Sequence, residues 1–351
     1  MTDLRIGVVG LGLRKSLAAE AHRPGKGSRV TTVCDTDPAA FGWARERFGS
    51  DVATLTDFDD LLAADIDAVA ILTPDDTHVD LGTRALAAGL PTFMEKPLAI
   101  STADCDALLE SARAHRTRLY VGHNMRHMPV IRAMRDLIAD GAIGEVEAIW
   151  CRHFVGHGGD FYYKDWHADR RRTTGLLLQK GAHDIDVIHW LAGASTRRVA
   201  AMGKLSVYNR VDDRQAAAGQ RPHDWFDPEH HWPPLSQTGL HPIVDVEDLS
   251  MMLMELDNGV QASYQQCHYT PDYWRNYTVI GTAGRLENLG DTGGNAVVKL
   301  WNAKRRGYDA DADRQIAIGE ASGGHGGADT ALIGEFVRFV REGGRTDTSP
   351  V

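Results

Sequence analysis

Lys96 and His183 are of types that can assist proton transfer at an alcohol, an ammonium that stabilises an alkoxide and an imidazole that takes a proton. Lys96 stands in Glu95-Lys96-Pro97, directly after a short apolar run (residues 91–94) that reads as a strand. Ligands of α/β folds collect at the carboxyl ends of strands. An ammonium there lowers the pKa of a nearby hydroxyl, and the following proline restricts the backbone. Taken alone, a Glu-Lys pair is usually a solvated surface pair. His183 lies at the start of an apolar helical stretch (residues 182–191). Imidazole titrates near neutral pH, so it can take or return a hydroxyl proton. A lone histidine at a helix start is, by itself, more often structural.

A second cluster of residues could hold a dinucleotide. Gly7-Val8-Val9-Gly10-Leu11-Gly12 ends an apolar run and opens a helix-like stretch. Gly10 would allow the tight turn, and Gly12 would let the backbone approach a pyrophosphate at the helix N-terminus. Gly10, Leu11 and Gly12 are therefore expected at the cofactor. Arg14 is a candidate phosphate contact. Lys15, which takes the place of a small residue at the sixth position of the fingerprint, either touches phosphate or faces solvent. Asp35 follows Gly12 by 23 residues, at the end of the next strand. A carboxylate there accepts from ribose hydroxyls and repels a 2′-phosphate, which favours NAD over NADP.

These residues need elements to position them. Short apolar runs at residues 4–10, 29–34, 68–72, 91–94 and 118–122 alternate with helical stretches at 38–48, 75–88 and 102–114. That alternation predicts an α/β fold whose first domain, residues 1–123, is a Rossmann-type doubly wound parallel sheet. The remainder, residues 124–351, reads differently. Strand candidates at 146–154, 199–208, 246–256, 259–268 and 276–280 are joined by turn signals such as Asp257-Asn258-Gly259. They predict an α+β domain with a large, mostly antiparallel open sheet that binds substrate and joins subunits. Residues 209–242 are rich in Pro, His and Asp without periodicity. A stretch that long is more often a lid, a binding loop or an oligomer arm than a plain connector.

With Thr73-Pro74 and His78 one strand earlier, the Glu95-Lys96-Pro97 block resembles the Gfo/Idh/MocA family of NAD(P)-dependent oxidoreductases. Glucose–fructose oxidoreductase and inositol dehydrogenase are among its members. The resemblance runs from residue 4 to about residue 340 through GVVGLG, LTPDDTH, FMEKPL, GHNMRHMP, GAIGEV, LLLQKGAHDIDVIHWLAG and HGGAD. It implies an N-terminal Rossmann domain and a C-terminal α/β domain whose open sheet forms a homodimer or homotetramer interface. It also implies that Thr73, Pro74 and His78 line the cofactor and that Glu95 touches its nicotinamide side. Asn124 and Arg126 would face the cleft, Lys96 would meet the substrate hydroxyl and His183 would act as general base or acid. One departure stands out. Many family dehydrogenases carry Asp four residues before this histidine, whereas this chain has Gln179, which hydrogen-bonds but takes no proton. Lys180 then adds a second cation, either structural or orienting a substrate group. The chain ends at Ser349-Pro350-Val351, where family members often carry a further helix.

Other polar clusters are less specific. Residues 160–172, DFYYKDWHADRRR, mix aromatic and polar groups as sugar-binding loops do, and Tyr163, Trp166 and His167 are the expected contacts. Arg170, Arg171 and Arg172 either clamp an anion, Arg172 being the substrate candidate, or form ion pairs. His325, in a glycine-rich loop, lies near the substrate in the family. His223, His230, His231 and His241 match no compact metal-site spacing, so no metal is expected.

Composition excludes other classes. Of 351 residues, 38 are Lys or Arg and 48 are Asp or Glu, a net charge of −10 without a basic run. Such a chain suits neither nucleic acid nor an anionic membrane. No apolar run approaches the roughly 18 residues of a membrane span. The first residues read directly as a strand rather than a signal sequence. Four scattered cysteines, with no CxxC, fit a reducing cytoplasm. The leading expectation is hydride exchange between NAD and a secondary alcohol of a sugar, polyol or glycoside. Gln179, Lys180, Trp166 and His167 would orient that substrate. The alternative is a redox-neutral, NAD-requiring glycosidase that oxidises, eliminates, hydrates and reduces, conceivably on a sulfonated or carboxylated glycoside. A non-catalytic NAD-binding scaffold is a third class, which the Lys96 and His183 pair argues against.

Overall fold

The computed structural model describes residues 2–215, 226–227, 229–292, 294–303, 307–319 and 323–348. The chain divides into two compact units, residues 1–124 with 329–351, and residues 125–328.

The first unit holds six strands: β1 (Leu4–Val9), β2 (Ser28–Cys34), β3 (Ala53–Leu55), β4 (Ala68–Ile71), β5 (Thr92–Met94) and β6 (Leu119–Val121). Between them run α1 (Lys15–Ala21), α2 (Phe41–Phe48), α3 (Phe58–Leu62), α4 (His78–Ala87) and α5 (Thr102–His115). The order is β3-β2-β1-β4-β5-β6 and every pair is parallel. Because such a sheet is covered on both faces, its inner strands read as continuous apolar runs, and all four residues of β4 are buried. Caps are local: the Ser101 hydroxyl accepts from Asp104 N at the start of α5, and the Asp57 carboxylate accepts from Asp59 N at the start of α3. The strand order reverses between β1 and β4, where doubly wound sheets open a crevice at their carboxyl ends.

The final helix, Ala328–Glu342, belongs with this unit from Asp329 onward. Leu332, Ile333 and Phe336 are buried in the core that lies against β1 and β2. The Phe336 ring packs 5.6 Å from Phe93 and 5.7 Å from Tyr120. The sequence division at 123/124 placed this segment in the second domain. The correction has a simple cause: an amphipathic helix shows which face it buries, not which sheet it buries it against.

The second unit contains α6 (Pro129–Ala139), β7 (Val146–Phe154), α7 (Gly158–Tyr162), α8 (Arg170–Thr173), α9 (Leu176–Gln179), α10 (Gly181–Ala192) and β8 (Thr196–Lys204). It continues with β9 (Leu249–Leu256), β10 (Gln261–Cys267), β11 (Trp274–Gly281), β12 (Gly284–Leu289), β13 (Val297–Trp301) and β14 (Arg314–Ala317). The sheet order is β14-β13-β12-β11-β7-β10-β9-β8. Only β7 and β10 pair in parallel. Strand residues alternate between faces. One face packs Ile149, Met254, Tyr264 and Val279 against Val130, Ile131 and Met134 of α6 and Val187, Ile188 and Leu191 of α10. The other face leaves Trp150, Met202, Met251 and Leu253 exposed. The strand expected over residues 199–208 stops at Lys204. The Asp248 carboxylate accepts from the backbone N–H groups of Ser206, Val207 and Tyr208 at 2.7, 2.7 and 3.1 Å and draws that stretch into a turn.

Candidate active site

In the first unit the site begins with the turn after β1. Gly10 has φ +87°, and a Cβ there would lie 2.9 Å from the carbonyl oxygen of Leu72 and from Thr73 Cγ2. Only glycine meets both demands. A Cβ on Gly12 would meet nothing within 4 Å, so the chain is open on that side. Asp35, just past β2, accepts from Leu11 N at 2.7 Å and from Asp37 N at 2.9 Å. Each carboxylate oxygen has a second lone pair for a ligand hydroxyl.

The ends of β4 and β5 are tied together by His78. This buried ring faces the carbonyl oxygens of Pro97 at 2.8 Å and Thr73 at 3.1 Å. His78 is therefore a strut that holds the turn carrying Lys96, whose own side chain is buried. Thr73 and Thr77 share a hydroxyl–hydroxyl hydrogen bond of 2.6 Å, and the Thr77 hydroxyl also donates to Pro74 O.

Arg14, expected as a phosphate contact, is paired within the first unit. Its Nε donates to Glu95 at 2.7 Å and its terminal nitrogens donate to Asp329 at 3.3 Å. Burial opposes its charge, yet Glu95 and Asp329 outweigh that and raise its pKa further. The cation thus neutralises the chain's own carboxylates. Asn124 donates to Asp329 at 2.8 Å. Two acceptors at the ends of β5 and β6 stay buried without a hydrogen-bond partner, Glu95 Oε2 and Asn124 Oδ1. Unsatisfied buried acceptors are uncommon and need explaining. They fit a ligand with amide N–H donors, as the nicotinamide carboxamide has.

In the second unit, His183 sits in the first turn of α10, buried to 8% exposure, with Gln179 and Lys180 on the turn just before. The next residue, Asp184, is fully buried and anchors the helix to the sheet. It accepts from the Tyr264 hydroxyl at 3.0 Å and from the Tyr277 hydroxyl, meets His153 Nδ1 at 3.0 Å and pairs with Arg275 Nε at 3.1 Å. Burial alone would raise its pKa, but Arg275 and His153 hold it well below the usual carboxylate range. Burial, with Arg275 beside it, pushes His153 down to about 4. His268, fully buried with both ring nitrogens unpartnered, is pushed well below its ordinary value by the same burial.

The aromatic loop is partly a core. Tyr163 is fully buried, stacks 4.3 Å from Tyr208 and donates its hydroxyl to Glu247 O at 2.9 Å, so it is corrected from substrate contact to packing residue. Trp166 stacks on His167 at 3.7 Å, and Asp165 lies 2.5 Å from His167 Nδ1. Arg172 lies over the Trp166 ring at 5.8 Å, and Lys180 Nζ lies 5.6 Å from the Tyr162 ring centre. Arg170 pairs with Glu247 and Arg171 with Asp169, so two of the three arginines are held by internal carboxylates. Arg126 forks onto Asp186 at 2.8 and 2.6 Å, a tie to α10. His325 lies exposed in a turn with φ 51°. His223 lies outside the described residues. Among the described residues no three His, Cys, Asp or Glu side chains converge as metal ligands.

Sequence reasoning passed over Asp329, His153, Tyr264, Arg275 and Tyr277. The site partners that tie them in, Arg14 and Asn124 for Asp329 and Asp184 for the others, lie 31 to 315 positions away along the chain, so no local pattern marks them.

Comparison with known proteins agrees with both units. Residues 4–123 match the oxidoreductase family with an NAD-binding Rossmann fold, and residues 131–287 match the GFO/IDH/MocA C-terminal domain. The protein YteT of Bacillus subtilis (strain 168) is 23% identical over 346 residues, 87% of this chain and 81% of its own length. An inositol 2-dehydrogenase of Rhizobium meliloti (strain 1021) is 31% identical over 210 residues, 60% of this chain and 61% of that enzyme. A solved levoglucosan dehydrogenase, in complex with NADH and L-sorbose, shares the fold with a TM-score of 0.77 at 18% identity, covering 99% of this chain and 91% of that one. The chain belongs to the Gfo/Idh/MocA oxidoreductase family.

Proposed function

We propose that the protein is an NAD-dependent oxidoreductase acting on a secondary alcohol of a sugar, polyol or glycoside. The supporting observation is the pair of unpartnered buried acceptors, Glu95 Oε2 and Asn124 Oδ1, on the strand ends that follow an intact Gly10–Asp35 cradle. Gly10, Leu11, Gly12 and Asp35 would hold the adenosine side, with Asp35 favouring NAD over NADP. Thr73, Pro74, Glu95 and Asn124 would hold the nicotinamide side. When bound, NAD supplies the hydride acceptor. As the substrate C–H and O–H bonds break and the carbonyl forms, His183 takes the hydroxyl proton. Lys96 stabilises the oxygen as its negative charge develops. Gln179, Lys180, Trp166, His167 and Arg172 orient the remaining hydroxyls. The inositol 2-dehydrogenase relative makes inositols natural first substrates to try.

A second reading is favoured by one observation: Gln179, which takes no proton, is buried beside His183's helix where the family often has Asp, with Lys180 next to it. That combination suits a redox-neutral glycosidase, in which the cofactor is returned to its starting state each turnover. Arg170 and Arg171 are held by Glu247 and Asp169, which argues against a clamp of three arginines on an anionic glycoside.

One experiment tests both. The protein is incubated with NAD and either polyols (myo- and scyllo-inositol, hexoses) or aryl glycosides. NADH in step with ketone supports the dehydrogenase, and aglycone release without net NADH supports the glycosidase. In either case Lys96→Ala and His183→Ala each lower kcat by about 10²- to 10⁴-fold, the usual weight of such groups. Wild-type rates in both variants contradict the proposal.

A further inference from the structure

We propose that the second unit carries a subsite for a second, neutral sugar ring, joined by a glycosidic bond to the ring that is oxidised. This inference rests on the sugar-directed reading above and deepens it. The site is a cavity of about 270 Å³ between the segment after β7 and the loop at residues 229–237. His157, Asp160, Tyr208, His231, Trp232 and Gln237 supply its chemistry. Its volume lies at the lower edge of the roughly 300–1,000 Å³ of small-molecule pockets. It suits one ring, not a dinucleotide.

The lining has the two faces a sugar requires. Trp232 is 48% exposed, an aromatic surface on which the C–H face of a pyranose can lie. The opposite character comes from polar groups that converge on the cavity. Gln237 is 5% exposed, and its Oε1 is buried with no hydrogen-bond partner, an acceptor awaiting a donor such as a sugar hydroxyl. Asp160, 2% exposed, is held by Lys164 Nζ at 3.1 Å and His231 Nδ1 at 2.7 Å. That pairing compensates its charge in place. Glu229 adds an acidic group to the lining, and no Lys or Arg lines it among the described residues, so an anionic ligand is disfavoured. Among the described residues no three metal-ligating side chains converge here.

A chain of contacts also links the cavity wall to Lys180, a group proposed above to orient substrate in the same unit. The Tyr208 hydroxyl on its wall donates to His268 O at 2.9 Å. The His268 ring packs 5.3 Å from Tyr162, and Lys180 Nζ lies 5.6 Å from that same tyrosine ring. Two aromatic rings thus separate the wall of the cavity from Lys180. Half of the lining comes from residues 229–237, in the aperiodic stretch after β8, so this segment is assigned a binding role.

The test is calorimetric titration of the full chain in saturating NAD. The probes are maltose, cellobiose and melibiose against glucose, galactose and myo-inositol. Wild type is compared with Gln237→Leu and Trp232→Ala, after thermal melting has shown that both variants fold. The expected result is that at least one disaccharide binds about tenfold or more tighter than its constituent single rings, and that each substitution removes this advantage. The proposal is overturned if no disaccharide binds tighter than single rings, or if the substitutions weaken one-ring and two-ring ligands equally. Nicotinamide absorbance in the same samples separates the two claims. A two-ring preference without NADH or sugar release leaves the subsite standing and removes the oxidoreductase reading. NADH from single rings without a two-ring preference does the reverse.

Discussion

Asp35 is built into the turn that the proposed cofactor reading depends on. Its carboxylate fixes the Gly10 turn through Leu11 N and Asp37 N, and the preference for NAD proposed above rests on its charge. Asp35→Asn keeps an acceptor for the turn and removes the charge. A charge-assisted hydrogen bond is worth about 1.5–3 kcal/mol, so kcat/KM with NAD should fall about 10- to 100-fold. With NADP it should rise, because the repulsion is gone. Steady-state kinetics with both cofactors checks this, and parallel losses with the two would contradict it. Asp35 was legible in the sequence because strand, glycine turn, helix and acidic residue lie within one short segment. The internal ion pairs of Arg14 were not legible, for the opposite reason. Its partner Asp329 is 315 residues away, and no local pattern distinguishes an arginine bound to phosphate from one bound to an internal carboxylate.

At the scale of elements, α10 presents His183 only as firmly as Asp184 anchors the helix to β7, β10 and β11. That anchor is a buried charge network, and removing one member of such a network costs about 3–5 kcal/mol. It also makes the fold acid-sensitive. Folded His153 titrates at about 4, against 6.5 for the free side chain. Between these values the unfolded chain binds a proton that the folded chain refuses. Stability therefore falls as pH drops from 6.5 to 4, by up to about 1.4 kcal/mol per pH unit. Asp184, held below its ordinary value, adds a further loss below the usual carboxylate range. Denaturant unfolding across this window measures the slope, and a flat or rising stability toward acid would contradict the account. The final helix offers a second check. Phe336→Ala removes a buried ring packed on Phe93 and Tyr120, and should destabilise the first unit by about 3–5 kcal/mol. Unchanged thermal unfolding would contradict that. Strand β7 and helices α4 and α5 were readable as the strand candidate at 146–154 and the helical stretches at 75–88 and 102–114. Strands β12 to β14 were not, because short strands joined by tight turns carry few alternations each.

For the whole molecule, the bare face of the second unit's sheet is the feature that one chain leaves unexplained. Leu253 is 66% and Trp150 52% exposed, and Met251 and Met202 lie on the same sheet. Apolar side chains gathered this way mark an association surface. We propose that a second copy covers them in a homodimer or homotetramer, as the open sheet suggested from sequence. Leu253→Glu should then reduce the mass seen by light scattering to that of one chain, and a wild-type monomer would contradict the proposal. No described helix is long and apolar enough to cross a membrane. What the entire account depends on is hydride transfer from a ring carbon, assisted by Lys96 and His183. The most direct measurement is mass spectrometry of the nicotinamide after the protein has been mixed with NAD and polyols or glycosides carrying deuterium on their ring carbons. The account predicts deuterium on the nicotinamide ring with wild type and about a hundredfold or slower appearance with Lys96→Ala. NAD that binds yet never acquires label from any of these rings would contradict it.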